Sequence, residues 1–189
     1  MLIGVVLSVV LVACSSSATK TVETIPATTT TKVSICDPLQ DCTKAQLQGA
    51  QLQGAQLQGA QLQGASLEGA NLEGANLSFA NLQGANLRGA NLTGADLTNA
   101  YLTGADLTNA YLANAILVDA YLTNAYLTNA YLDLAYMVNA DLRGAELTET
   151  NMGQTNLRGA NLRGAKGRPS FLDMANLTDA IMPDGTIHD

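Results

Sequence analysis

Histidine is nearly absent from this 189-residue sequence, and that scarcity removes whole classes of chemistry. The only histidine is His188, next to the C-terminal residue. Histidine-based metal clusters and most acid-base triads therefore have no candidate residues. The chain also contains no P-loop, no nucleophile elbow and no GxGxxG motif. We accordingly expect no catalytic residues, no metal and no cofactor.

Basic residues are also scarce. The chain has 9 Lys and Arg against 16 Asp and Glu, for a net charge of −7. Between Ala45 and Asp184 the count is twelve acidic and six basic residues. Binding to nucleic acid requires Lys and Arg to neutralise phosphates. We therefore expect no direct nucleic-acid binding.

The sequence does contain a tandem repeat, and its period is five. From Ala45 to Asp184 there are 28 pentads, and a large apolar residue occupies the third position of nearly all of them, from Leu47 to Met182. On an α-helix such residues would step by about 140° and form no stripe. On a flat strand an odd spacing would place them on alternating faces. The period excludes both elements.

A strand that turns once per pentad fits the pattern. Position one (Ala) and position three (Leu) are two residues apart and share a face, so both can point inward. Gly or Asn at position five, preceded by a polar position four, can form a corner. We predict an all-β fold, a β-solenoid with an inward row of leucines that includes Leu47, Leu52, Leu87, Leu107, Leu127, Leu162 and Leu177.

The repeat units resemble those of a known family. ANLEG, ANLRG, ANLTG and ADLTN are similar to the A(D/N)LxG units of the pentapeptide-repeat family. The resemblance implies a right-handed quadrilateral β-helix with four pentads per coil, hence about seven coils and a shaft of roughly 34 Å. It also implies a rival function, because some members are acidic DNA mimics that bind DNA gyrase and protect it from quinolones.

Residues 1–13 are apolar and uncharged, and Cys14 follows them directly. The run is shorter than a typical membrane span of about 20 residues and has the length of a signal peptide. Leu11 to Cys14, LVAC, resembles a bacterial lipobox, which implies cleavage before Cys14 and a lipid on its sulfur. A buried N-terminal strand with an ordinary thiol is the alternative.

Residues 14–34 are rich in Ser and Thr and are predicted to be a flexible tether. Residues 35–44 contain Cys36 and Cys42. If Cys14 carries lipid in an oxidising compartment, these two cysteines form an even pair and are predicted to make a disulfide that closes a cap on the first coil. A metal or redox role for the pair is the weaker alternative.

The outward positions change along the shaft. Residues 45–64 carry only glutamine there, which suggests a solvated surface rather than a binding ring. Asn and Asp then occupy position two and are expected to bond to nearby backbone. Phe79 takes a corner position and is expected to pack along the outside of the shaft.

Tyrosine dominates position two at mid-shaft, at Tyr101, Tyr111, Tyr121, Tyr126, Tyr131 and Tyr136. We call these six residues the tyrosine belt. With twenty residues per coil, Tyr101 should stack with Tyr121 and Tyr111 with Tyr131. The belt has two explanations, structural ladders or a recognition surface, because exposed tyrosine is enriched where proteins meet partners.

The C-terminal part is less regular. Gly167 stands where Leu belongs, while Leu172 and Met182 keep the period. We therefore expect a local cavity, a bulge or a small loop excursion at Gly167 rather than the end of the shaft. Arg143, Arg163 and nearby basic residues could form an anion-binding patch, although interleaved acids favour a mixed, solvated surface. Residues 185–189 are predicted to cap the last coil.

These features favour a non-catalytic interaction module, exported and anchored by Cys14 to a bacterial membrane, facing the periplasm or the cell surface. Its partner is an unidentified protein or surface, and a homodimer formed by end stacking is a further expectation. The alternative is a DNA-mimic inhibitor or protector of gyrase or another cytoplasmic enzyme. An enzyme with a site near Gly167 is the least favoured hypothesis.

Overall fold

The computed structural model describes residues 9–11, 23–25 and 42–189. Two short strands come first: β1 spans Val9–Leu11 and β2 spans Glu23–Ile25. They pair antiparallel, with Val9 opposite Ile25. Thus β1 lies within the predicted signal segment, and β2 lies within the predicted tether, where β-branched Thr24 and Ile25 favour a strand. The predicted lipid site Cys14 and the disulfide residue Cys36 lie outside the described residues.

Residues 42–184 form a β-solenoid built from single-residue bridges. Position two of each pentad pairs in parallel with the residue twenty positions later, as Gln46 does with Ser66. The N–H of position three donates to the next coil, as from Leu47 to the Ser66 carbonyl at 2.7 Å. Twenty residues therefore make one coil of four pentads. Since each pentad contributes one bridged residue, long strands do not form in this part of the chain.

A corner closes each pentad. The N–H of the following alanine donates to the carbonyl of position three, as from Ala110 to Leu107 at 3.0 Å. Position five takes a positive φ, which is 59° at Asn109. Gly and Asn reach this left-handed conformation at the lowest cost, and they fill position five in most pentads. The backbone thus forms the predicted sides and corners.

The buried side chains of the shaft come from positions one and three, with Ser78 at position four as the exception. All seven leucines predicted to face inward are buried, from Leu107 at 0% exposure to Leu177 at 8%. Thr150 and Thr155 replace alanine at position one and are also buried. Their hydroxyls donate to the carbonyls of Leu127 and Leu132 at 2.7 and 2.9 Å. Each threonine thus fits the apolar bore because its hydroxyl is bonded to backbone.

The solenoid hydrogen bonds begin before Ala45, the predicted start of the shaft. The Cys42 N–H donates to the Gln61 carbonyl at 2.9 Å, and the Lys44 N–H donates to Gln63 at the same distance. Cys42 is fully buried, and Lys44 has the positive φ of a corner residue. Residues 42–44 are therefore the end of one further pentad, in which Cys42 occupies the leucine position.

The last coil contains a register shift that the numerical period hides. Asn151 pairs with Ser170, nineteen residues later, whereas Asn156 again pairs with Asn176, twenty later. The side that begins at Lys166 is one residue short. The 3₁₀ helix Leu172–Met174 holds the extra residue that restores the frame. Leu172, which keeps the numerical period, lies in this helix and packs against the core while only partly buried.

The C-terminal residues fold back onto the last coil. Ile187 pairs antiparallel with Ile181. The His188 N–H donates to the Ala180 carbonyl at 2.8 Å, and the Met182 N–H donates to Thr186 at 2.7 Å. Backbone groups at this edge of the solenoid are thereby paired.

Candidate functional site: the tyrosine belt

The solenoid places the tyrosine belt around the middle of the shaft, on all four sides. Bridges twenty residues apart define each side. We number the sides in chain order from the one that contains Gln46. The first side then carries Tyr126, the second Tyr111 and Tyr131, the third Tyr136, and the fourth Tyr101 and Tyr121. Every ring projects outward, with exposures between 41% at Tyr101 and 54% at Tyr126.

Four of the six tyrosines form two ladders. The ring centroids of Tyr101 and Tyr121 are 5.0 Å apart with an interplanar angle of 4°. Those of Tyr111 and Tyr131 are 5.2 Å apart with an angle of 6°. Both predicted pairs are thus stacked. The other two tyrosines of the belt have no aromatic neighbour in their columns.

Tyr126 and Tyr136 stand among non-aromatic residues. Tyr126 lies between Asp106 and Glu146, and Tyr136 lies between Ile116 and Asn156. Stacking therefore accounts for four tyrosines of the belt and leaves these two rings without a structural explanation.

Asn and Asp at position two have a local structural role that tyrosine cannot take. The Asn91 side-chain oxygen accepts the N–H of Thr93 at 3.1 Å, and Asp96 accepts that of Thr98 at 3.0 Å. This pattern recurs along the shaft and confirms the expectation that these residues bond to backbone. The oxygen of a tyrosine lies at the far end of its ring, out of reach of this N–H. A tyrosine at position two thus gives up one local hydrogen bond.

The belt has an acidic setting. From Gly89 to Leu142 the sequence contains five aspartates and no Lys or Arg. Two aspartates bond to arginines just outside this stretch, Asp106 to Arg88 at 3.2 Å and Asp141 to Arg143 at 2.6 Å. The Arg143 guanidinium lowers the pKa of Asp141. Burial alone would raise the pKa of Asp106, but hydrogen bonds from Thr108 and Arg88 outweigh it and lower the pKa.

Aliphatic residues beside Tyr136 belong to the same surface and were missed from the sequence. Ile116 lies one coil below Tyr136 on the third side and is 39% exposed. Val118 and Val138 take position four, two residues after Ile116 and Tyr136, where most pentads carry a polar or charged residue. Leu134 occupies the adjoining corner and is 46% exposed. A valine repeated at the same outward position twenty residues apart was the available signal.

Other predicted features are less well formed. Phe79 sits at its corner with 52% of its surface exposed, so it packs only partly against the shaft. In the basic region, Arg158 approaches Asp179 at 3.9 Å, and both side chains are about two-thirds exposed. Lys166 lies one coil above Glu146. Such exposed, mixed-sign neighbours fit a solvated surface.

The described residues contain neither a cluster of metal ligands nor a membrane-spanning helix. No group of three or more His, Cys, Asp or Glu side chains within 42–189 is arranged to hold a metal ion. Nor does any helix in the described part of the chain have the length and apolarity needed to span a membrane.

A solenoid of four pentads per coil, with Ala and Leu inside and a variable exterior, defines a β-helical repeat protein. The family model for pentapeptide repeats matches residues 41–78, 70–109, 105–144 and 145–182, with eight copies. The chain therefore belongs to the pentapeptide-repeat family.

Several solved structures resemble this chain. HetL, a pentapeptide repeat protein involved in heterocyst differentiation regulation in the cyanobacterium Nostoc, is 37% identical, with 78% of this chain and 74% of HetL covered and a TM-score of 0.47. A pentapeptide repeat protein of the Arabidopsis thaliana thylakoid lumen is 34% identical, covering 57% and 71%, with a TM-score of 0.49. QnrB1, a plasmid-mediated fluoroquinolone resistance protein, is 20% identical, covering 72% and 76%, with a TM-score of 0.42.

No functionally curated protein shows significant sequence similarity to this chain.

Proposed function

We propose that this protein is a non-catalytic interaction module that binds a protein partner through its tyrosine belt. The observation that carries the proposal is the outward projection of six tyrosines within two coils of a rigid shaft, each 41–54% exposed. Tyrosine offers large contact area and a hydrogen-bonding hydroxyl at a small cost in side-chain entropy. The aspartates around the belt favour a partner surface that adds Lys or Arg to apolar groups.

The solenoid beneath the belt acts as a scaffold. The backbone at each belt position is bonded to the coils above and below, as at Tyr121, whose N–H donates to Ala100 at 2.9 Å. The backbone of the belt is therefore already ordered before a partner binds, and only the side chains lose freedom. We take the solenoid to be right-handed, with about seven coils between Ala45 and Asp184, as the family resemblance implies.

Photo-crosslinking tests the interaction proposal. A photoreactive phenylalanine analogue replaces Tyr121 in intact cells, and the adduct is identified by mass spectrometry. The matched control carries the same analogue at Asn81, which occupies the same column of the fourth side two coils below. We expect a discrete protein adduct from position 121 and none from position 81. Adducts of equal yield at both positions, or at neither, would exclude the belt as the contact surface.

We further propose that a lipid on Cys14 tethers the protein to a bacterial membrane, with residues 15–34 as a spacer. This part of the proposal depends on the LVAC sequence at Leu11 to Cys14. Metabolic labelling with a radioactive fatty acid should label the wild-type chain and the control Cys36→Ala, but not Cys14→Ala. An unlabelled wild-type chain in the cytosol would refute the tether.

The second candidate is an acidic DNA mimic that acts on gyrase or another cytoplasmic enzyme. It is favoured by the stretch from Gly89 to Leu142, which contains five aspartates and no basic residue. Inhibition or protection of purified gyrase, weakened when Asp96, Asp119 and Asp133 are changed together to Asn, would support it. At position 96 asparagine keeps the hydrogen bond from the N–H of Thr98. At positions 119 and 133 its side-chain oxygen can still accept from Asn139 and Asn151, so folding should be unaffected. Gyrase unaffected by the wild-type chain would eliminate this candidate.

A further inference from the structure

The third side of the shaft has an outward surface unlike the other three. Its position-two column passes from Asp96 through Ile116 and Tyr136 to Asn156. Its position-four column holds Thr98, Val118, Val138 and Arg158 at the same four levels. We call Ile116, Val118, Tyr136 and Val138 the aliphatic patch. Only on this side are both outward positions apolar in two successive coils.

Charges border the aliphatic patch symmetrically along the shaft. Asp96 lies one coil below Ile116, and Arg158 lies in the coil above Tyr136. They are the only charged residues at positions two and four of the third side. Each stands one and a half coils, about 7 Å, from the centre of the patch along the shaft. A rotation that inverts the shaft direction about this centre therefore brings Asp96 to the level of Arg158.

From this symmetry we infer that the third side is an interface between two copies of the chain, packed side by side and antiparallel. The two-fold axis runs perpendicular to the shaft, across the third side and midway between Ile116 and Tyr136. It places Tyr136 opposite Ile116 of the second copy and Val138 opposite Val118. Apolar residues then face each other at both outward positions. Such an isologous contact needs a self-complementary surface, which the third side provides.

Electrostatics selects the antiparallel arrangement over the parallel one. In the antiparallel pair, Asp96 lies at the level of Arg158 of the second copy, in the adjacent column and within reach of its long side chain. In a parallel pair, Asp96 would lie near Asp96 and Arg158 near Arg158, and both contacts repel. The Arg158 contact to Asp179 within the chain is exposed and 3.9 Å long, so it offers little competition.

The antiparallel register opposes no like charges along the rest of the third side. Asn76 faces Asn176 of the second copy, Asp96 faces Asn156, and the corner residue Asp119 faces Asn139. For a chain of net charge −7, this side therefore allows close approach at low electrostatic cost. Leu134 extends the apolar contact at the corner. It holds a φ of 59°, which costs a leucine more than the usual glycine, and it exposes apolar surface in the free shaft.

The dimer should be weak. The facing stretch from Asn76 to Asn176 covers five coil steps, roughly 24 Å, and is only two outward columns wide. This is smaller than a standard interface of about 800 Å² per partner. We expect dissociation in the micromolar range. The other three sides, with Tyr101, Tyr111, Tyr121, Tyr126 and Tyr131, stay open for the proposed partner.

Sedimentation velocity of the purified full-length chain tests the interface without any partner, so it is independent of the proposed function. A mild detergent keeps the apolar segment 1–13 from driving association. Val138→Lys should shift the chain to monomer. Thr128→Lys is the matched control, since residue 128 takes position four of the same coil on the first side, with similar partial burial, and it should leave the dimer intact.

Charge variants test the orientation. Asp96→Asn keeps the Thr98 hydrogen bond and should weaken the antiparallel dimer several-fold, whereas a parallel dimer would tighten. Arg158→Glu should weaken it about tenfold, as expected for two symmetric like-charge contacts, and adding Asp96→Asn to Arg158→Glu should recover part of the loss.

Any one of the following results would overturn the inference. They are a monomer at every concentration, tightening by Asp96→Asn, and equal effects of the two lysine variants. A dimer that resists all of these changes would also overturn it and would favour end stacking.

Discussion

Gly167 allows the shifted last coil to pack closely, and replacing it should destabilise that coil. An alanine Cβ at this residue would lie 2.5 Å from the backbone N and 2.7 Å from the Cα of Thr148, and would also collide with its hydroxyl. Backbone atoms cannot move aside as a flexible side chain can. Gly167 also has a φ of +84°, which adds about 1–2 kcal/mol for any residue with a Cβ.

Gly164→Ala provides the matched control for Gly167→Ala. Gly164 has a φ of +70°, yet nothing lies within 4 Å of its added Cβ. Both variants incur the cost of positive φ, but only Gly167→Ala also adds the overpacking cost of about 1–3 kcal/mol. The free energy of opening of the last coil should therefore fall by about 1–3 kcal/mol more in Gly167→Ala than in Gly164→Ala.

Hydrogen exchange measures this difference locally. In the wild type, the N–H of Leu147 donates to Lys166 at 2.8 Å and that of Glu149 donates to Arg168 at 3.1 Å. Both amides should exchange faster in Gly167→Ala, while amides in residues 45–125 stay protected, because a solenoid unfolds from its ends. Equal exchange in the two variants would refute the account of Gly167 as a steric requirement.

Three further predictions concern the bore and a surface ion pair. Leu107 is fully buried, so Leu107→Asp places an unpaired carboxylate in the apolar bore and should cost several kcal/mol of unfolding free energy. The control Thr103→Asp changes an exposed residue and should be tolerated. Equal melting temperatures of the two variants would refute the inward assignment. Thr150→Val keeps the shape of the buried side chain but loses the 2.7 Å hydrogen bond to the Leu127 carbonyl, so the free energy of unfolding should drop by about 1 kcal/mol. An unchanged free energy of unfolding in chemical denaturation would contradict this prediction. Hydrogen bonds and charge from Arg143 lower the pKa of Asp141 below its usual 3.8. Its contribution to stability is therefore present above that value and is lost as pH falls through the lowered pKa. Arg143→Gln should raise the pKa of Asp141 in an NMR titration, and an unchanged pKa would contradict the assignment.

Much of the frame was predictable because it depends on local, repeated physics. The period of five placed Leu47 through Leu162 inside, and the twenty-residue coil implied by the family resemblance placed Tyr101 under Tyr121. The shift at Ser170 was not predictable. Leu172 keeps the numerical period, and the close approach of Gly167 to the Thr148 backbone on the short side depends on how the coils stack.

The candidate site was predictable in part. The belt follows from composition, since the six tyrosines share position two. The aliphatic patch was missed because Val118 and Val138 lie at position four, which is polar in most pentads, and their adjacency to Ile116 and Tyr136 depends on the folding of the coil. The placement of Asp96 and Arg158 at equal distances on opposite sides of the aliphatic patch likewise emerges only when coils are stacked.

The central claim is that the belt is present for contact rather than for the stability of the shaft. The free energy of unfolding of Tyr126→Asn tests it most directly, because Tyr126 is unstacked and asparagine can bond to the N–H of Thr128 as Asn91 does to that of Thr93. We predict a change within about 1 kcal/mol, since the new hydrogen bond offsets the lost partial burial. Tyr111→Asn should cost about 0.5–1.5 kcal/mol more, because it also breaks a ladder. A loss of several kcal/mol in Tyr126→Asn would show that the belt is structural and would contradict the claim.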